Sequence, residues 1–199
     1  MIETEDSIIV HIPKCGGMTL RRHIGGKSIC GQHEGIFALS AEQRRKRIHA
    51  LTREPRQWYQ SLFQYCVDTR NPWLEEFGVP CTLNEETFRL FLHRATIDPP
   101  ETQKLVIPEI RAPFDSFRYM RSRGRGFWSF WHEFLCSDDP QDIRIAADVQ
   151  FVPCGHKRFF PLARENVSSQ LSVNWDREAL DCLRVDADVE RIVASQTIP

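Results

Sequence analysis

Ser7-Ile8-Ile9-Val10-His11-Ile12 is a short, mostly apolar run that stops at Pro13 and meets Gly16-Gly17. An apolar run of this kind, bounded by turn residues, reads as a buried strand feeding a tight turn. A helix is expected next over Thr19-Leu20-Arg21-Arg22-His23-Ile24, with Gly25-Gly26 as its stop. Ser40-Ala41-Glu42-Gln43 fits a capping box, in which Ser and Gln side chains satisfy the open amides of a helix start, and predicts a helix from Ala41 to about Lys46. Ile48-His49-Ala50-Leu51 is the second strand, and Pro55 stands where a first helical residue can spare its N–H. From Arg56 onward Trp58, Leu62, Tyr65 and Cys66 recur at helical spacing and predict one buried face.

Two strand-loop-helix units in succession predict an α/β fold with a central parallel sheet flanked by helices. Further along, Asn84 caps a predicted helix that turns Phe88, Phe91 and Leu92 inward, and Trp128, Trp131, Phe134 and Leu135 mark another. Pro99-Pro100 and Arg118 to Gly126 read as loops. Residues 146–152 alternate like a late strand, while Asp176 to about Ala194 has helical composition with Leu180, Leu183, Ile192 and Val193 as its buried side. With no repeat or linker, the expectation is one domain over residues 1–199.

Composition narrows the picture. The 199 residues, 41% hydrophobic and 11% aromatic, suffice for one sizeable core. With 26 Lys+Arg against 27 Asp+Glu there is no global field to hold nucleic acid or an anionic membrane, so anion binding must be local. Seven cysteines without CxxC spacing speak against a disulfide framework or a zinc ribbon, and free thiols imply a reducing, cytoplasmic setting. The acidic opening, Met1 to Asp6, and the lack of a long apolar run predict neither a secretion signal nor a membrane span. The Asn166-Val167-Ser168 sequon carries little weight in that setting.

A strand that ends in a glycine turn and opens a helix aims backbone N–H groups and the positive end of the helix dipole at one point, which suits a phosphate. Gly16 and Gly17 let the backbone approach the anion, Thr19 adds a hydroxyl, and Lys14 adds a mobile positive charge. The Walker A order is excluded, because that loop places its Lys after the glycines and this one places it before. His11-Ile12-Pro13-Lys14-Cys15-Gly16-Gly17-Met18-Thr19-Leu20 resembles the 5′-phosphosulfate loop of the sulfotransferase superfamily, in the P-K-T-G-G-T-S-L form of carbohydrate-type and related bacterial members. Cys15, Met18 and Thr19 depart from the commonest residues there, and a hydroxyl at position 18 is lost. Leu51-Thr52-Arg53-Glu54-Pro55 through Ser61 is similar to the family's 3′-phosphate motif, R-D-P followed by a serine, with Arg53 and Ser61 eight positions apart. Glu54 stands in place of the usual Asp and suits the organisation of the turn.

The resemblance covers residues 7–66 and implies a P-loop-NTPase-like sulfotransferase fold. It also implies binding of 3′-phosphoadenosine 5′-phosphosulfate (PAPS), without a metal, through Lys14, Cys15, Gly16, Gly17, Met18 and Thr19 at the 5′ end and Arg53 and Ser61 at the 3′ end. Lys14 would stabilise the leaving oxygen as sulfate passes to an acceptor hydroxyl, on a glycan or a small molecule. The proton needs a base with a pKa near neutrality, and His33, lying between the two motifs where heparan-sulfate-type members carry a catalytic histidine, is the first choice, with Glu34 second. His11 reads as a packed strand residue, and His23, His49, His93, His132 and His156 as ordinary helix, strand or loop residues. Arg44-Arg45-Lys46-Arg47 reads as a solvated face or an anion receiver, and Arg118, Arg121, Arg123 and Arg125, interleaved with Tyr119 and Trp128, as a loop over nucleotide or sugar. Two rivals stand beside the sulfotransferase: a nucleotide-binding module without turnover, and a P-loop phosphotransferase or kinase.

Overall fold

The structure, a computed structural model, describes residues 1–24, 26–29, 35–96, 149–154 and 171–183. These form a mixed α/β arrangement that divides into two compact units, with residues 1–53 and 149–154 in the first and 54–96 and 171–183 in the second. Among them no helix is long and apolar enough to cross a membrane.

The first unit is built on a five-stranded sheet of β1 (Ile2–Glu3), β2 (Ser7–Val10), β3 (Lys27–Ser28), β4 (Arg47–Thr52) and β5 (Gln150–Pro153) in the order β3-β1-β2-β4-β5. β2 pairs parallel with β4, and β4 with β5, as the two successive units predict. β1 corrects an all-parallel reading. It runs antiparallel to both β2 and β3, so four strands share one direction and one opposes them. The cause is a hairpin: Thr4 and Ser7 exchange hydrogen bonds across Glu5-Asp6, with the Thr4 hydroxyl closing the turn at 3.1 Å. Met1 and Ile2 are buried there, a short apolar pair inside an otherwise acidic opening. β2 and β4 are buried along consecutive residues, Ile8 to Val10 and Ile48 to Thr52. Side chains alternate along a strand, so both faces are covered, as parallel strands require.

The capping box forms, with Ser40 N–H donating to Gln43 Oε1 at 2.9 Å and Gln43 N–H to Ser40 Oγ at 3.2 Å. It opens a single 3-10 turn, Gln43–Arg45, rather than a helix. The basic run beside it is partly structural. Lys46 Nζ sits 2.9 Å from Glu3 Oε1 and donates to the Thr4 carbonyl, while Arg44 Nε donates to Leu39 O. The Lys46 contact is also the main reason the Glu3 carboxyl lies below its ordinary range.

In the second unit α2 (Pro55–Asp68) turns Trp58, Tyr59, Leu62, Phe63 and Cys66 inward, with Pro55 as its first residue. It closes through Arg70, whose φ of 49° is left-handed, with Asn71 N–H reaching back to Cys66 O and Arg70 N–H to Val67 O. After a short α3 (Pro72–Glu76), α4 (Glu85–Thr96) is capped by Asn84 Oδ1 accepting from Thr87 N–H at 2.9 Å. It buries Phe88, Phe91 and Leu92 as expected. Phe63 packs on both Phe88 and Phe91 at 5.6 and 5.3 Å between ring centres. The final described helix, α5 (Arg177–Cys182), is capped by Asp176, and Leu180 is 45% exposed while Ala179 and Cys182 are buried; the predicted extension over 184–194 lies outside the described residues. The reading of Leu180 as a core residue is therefore corrected. Ile192, Val193 and the predicted Trp128–Leu135 helix lie outside the described residues.

Candidate functional site

The parallel strands of the first unit all end on one edge of the sheet. β2 ends at Val10 and runs into the glycine loop, β4 ends at Thr52 and delivers Arg53, and β5 ends at Pro153 and delivers Cys154. The carboxyl edge of parallel strands is where open α/β sheets bind ligands, because loop and helix N-termini converge there.

The loop is a stack of backbone constraints. Cys15 N–H donates to Ile12 O at 3.2 Å, closing a four-residue turn with Pro13 second and Lys14 third. Lys14 has φ of 63°, so the turn follows the type II pattern, in which proline presets the second position and the third must be left-handed. A lysine in that position is strained, since left-handed backbone favours glycine. Gly16 continues with φ of 85°, which only glycine holds without cost. Its carbonyl accepts from Leu20 N–H at 3.0 Å and so starts α1 (Gly17–Ile24), two residues earlier than the sequence suggests.

Gly17 serves a different end. A Cβ there would lie 1.9 Å from His11 Cδ2 and 2.2 Å from Nε2, so the buried imidazole occupies the space that any side chain would need. His11 is thus packed beneath the start of α1. The first turn of α1 contains no acidic residue, which leaves the positive end of its dipole uncompensated by its own sequence. α2 is the contrast: Glu54 accepts from Arg56 and Gln57 N–H at 3.2 and 3.0 Å, so that helix start is already filled by a carboxylate. Glu54 organises the turn, as expected of it.

The six loop residues differ in what they present. Lys14 and Gly16 are half-buried, Cys15 and Gly17 buried, Thr19 exposed and Met18 51% exposed. Cys15 is fully buried, so its side chain belongs to the core.

Arg53 joins this loop. Its Nη1 donates to the Lys14 carbonyl at 3.1 Å across 39 positions of chain. Nε is buried without a hydrogen-bond partner, and among the described residues no carboxylate pairs with the guanidinium. Cys154, which the sequence did not single out, is the further member of this edge. Its N–H donates to Thr52 O at 2.7 Å, and its thiol is pushed up by burial against the opposing pull of the Arg53 charge. The only sequence signal for it was its place just after a late strand. Ser61 lies half-buried on α2, in the second unit. His33, Glu34, the Arg118–Arg125 cluster and the Asn166-Val167-Ser168 sequon lie outside the described residues.

Fold and site together define an α/β protein with a basic, glycine-built edge at the carboxyl ends of its parallel strands. No protein-family model, curated protein or solved structure matches the chain significantly.

Proposed function

We propose that this protein is a PAPS-dependent sulfotransferase of P-loop-NTPase-like sulfotransferase fold, moving a sulfuryl group to an acceptor hydroxyl and releasing adenosine 3′,5′-bisphosphate. The observation that carries this reading is the 3.1 Å contact between Arg53 and the Lys14 carbonyl. Two motifs read separately, one for each end of a nucleotide phosphorylated at both, meet at one sheet edge. The guanidinium is half-buried, with Nη1 on a backbone carbonyl, Nε unpartnered and no carboxylate beside it among the described residues, so its charge is unbalanced there. A phosphate offers it forked, charge-assisted bonds. The resemblance assigns Ser61 to the same 3′-phosphate.

At the other end the loop and the start of α1 fit a 5′-phosphosulfate through backbone N–H groups and the Lys14 ammonium. The acceptor oxygen forms a bond to sulfur as the bond from sulfur to the bridging oxygen breaks. Lys14 neutralises charge on that oxygen, and the acceptor's proton passes to a base, assigned to His33 with Glu34 as second choice. The acceptor is a hydroxyl on a glycan or a small molecule. Seven cysteines without CxxC spacing support a reducing, cytoplasmic setting.

Calorimetry tests the site. Adenosine 3′,5′-bisphosphate should bind roughly ten- to a hundredfold more tightly than 5′-AMP, the return expected of a charged hydrogen-bonded pair. Equal affinities sink the assignment of Arg53. Transfer of labelled sulfate from PAPS to a panel of glycans and phenols should vanish in Lys14→Ala and in His33→Ala; tight nucleotide binding with no transfer to any acceptor would favour a binding module instead.

A further inference from the structure

Arg53 differs from its neighbours in what it holds. Arg56 pairs with Glu54, and Arg89 with Glu85 and Asp176, whereas Arg53 spends one donor on a backbone carbonyl and leaves Nε buried and unpartnered. That carbonyl belongs to Lys14, the residue in the loop with strained backbone. The peptide unit between Lys14 and Cys15 is gripped at both ends: its N–H donates to Ile12 O at 3.2 Å and its oxygen accepts from Arg53 Nη1 at 3.1 Å. Fixing that plane fixes the torsion on either side of it, and so the directions of the Lys14 side chain and of the amides that follow. A non-glycine residue keeps a left-handed conformation only where its surroundings impose it, and these two bonds do so.

We infer that Arg53 is a positioning residue for the glycine loop as well as a ligand for phosphate. Nη1 holds the Lys14–Cys15 peptide in place, and the remaining N–H groups at the end of the guanidinium take the 3′-phosphate. One side chain then couples the two ends of the nucleotide. A ligand bearing only the 5′ group still depends on Arg53, though it never touches it. The inference rests on the nucleotide reading above.

Adenosine 5′-phosphosulfate, which lacks the 3′-phosphate, separates the two roles. If Arg53 positions the loop, Arg53→Ala weakens binding of this ligand by roughly tenfold, the scale of one hydrogen bond to a charged group, and weakens adenosine 3′,5′-bisphosphate by more. Added guanidinium ion should restore much of the lost affinity for the phosphosulfate. In the free protein the Lys14 carbonyl ¹³C resonance should shift on substitution while resonances of the β2–β4 ladder stay in place. If the alanine variant does not fold, Arg53→Lys keeps the charge but loses the fork and should move both affinities in the same direction. A variant that binds adenosine 5′-phosphosulfate as wild type does, with an unmoved Lys14 resonance, overturns the inference and leaves the nucleotide site intact. Wild-type protein that binds neither nucleotide sinks the site reading instead, and the Lys14 resonance then still decides whether Arg53 holds the loop.

Discussion

Replacing Gly17 with alanine places one methyl group where the His11 ring already lies. The new carbon would sit 1.9 Å from Cδ2, 2.2 Å from Nε2 and 2.4 Å from Cγ, while ordinary contact begins near 3.4 Å, so ring and helix must part by about 1.5 Å. The obstructing atoms are a rigid ring in a buried position at the end of β2, not the free tip of a long chain. Overpacking of this kind costs about 1–3 kcal/mol. That is a large share of the roughly 5–15 kcal/mol that holds a typical domain folded. Urea unfolding followed by circular dichroism measures it directly, and Gly17→Ala should lower the midpoint without changing the slope. Packing predicts a partner effect as well. In a His11→Ala background the three obstructing atoms are gone, so Gly17→Ala should cost almost nothing, and the cycle of four proteins should report a coupling of about 1–3 kcal/mol. Equal costs in both backgrounds, or a Gly17→Ala midpoint equal to wild type, would refute the idea that the glycine exists to admit the histidine.

Glu54→Ala should destabilise the protein by about 1 kcal/mol in the same assay, because it removes the acceptor for two amides at the start of α2, while Glu54→Asp should retain most of the cap. An alanine variant as stable as wild type would show that the carboxylate contributes nothing there. Hydrogen bonds from Arg89, and then from the Ala179 N–H, hold the Asp176 carboxyl below its ordinary range. A depressed folded value means that the contribution of this carboxylate is present above its unfolded pKa of about 3.9 and disappears as pH falls through the lower folded value. The Ala179 amide resonance should therefore titrate with a midpoint below about 3.9, and in Asp176→Asn that titration should be absent. A midpoint at or above that value would dismiss the Arg89 contact.

Local chemistry made the main elements of both units legible. The apolar runs of β2 and β4 stand out because parallel strands are buried on both faces and leave no polar alternation to dilute the signal. Pro55 and Asn84 announce helix starts for reasons contained within a few residues of each. Where the reading slipped, the deciding contact was distant. The hairpin of β1 depends on Ile2 meeting Ile9, and the box at Ser40 opens a single turn, not a helix, beside a lysine committed to Glu3. Leu180 looked like a core residue by its chemistry, but the buried side of α5 is set by Ala179 and Cys182.

The candidate site divides in the same way. The order of Lys14 before Gly16-Gly17, and of Arg53 before Pro55, is written in the chain and is what the expectation of an anion site rests on. That Gly16 is needed for its left-handed backbone could be guessed; that Gly17 is needed to make room for His11 could not, because the ring arrives from the preceding strand. The strain at Lys14 and the hold of Arg53 on its carbonyl are likewise invisible in sequence, since they join positions 39 apart. Sequence determined the candidate anion ligands, the runs of β2 and β4, and the starts of α2 and α4. The parallel pairing of β2 with β4 decided that two of those groups meet, because only a shared strand direction brings both carboxyl ends, and the residues that follow them, to one edge.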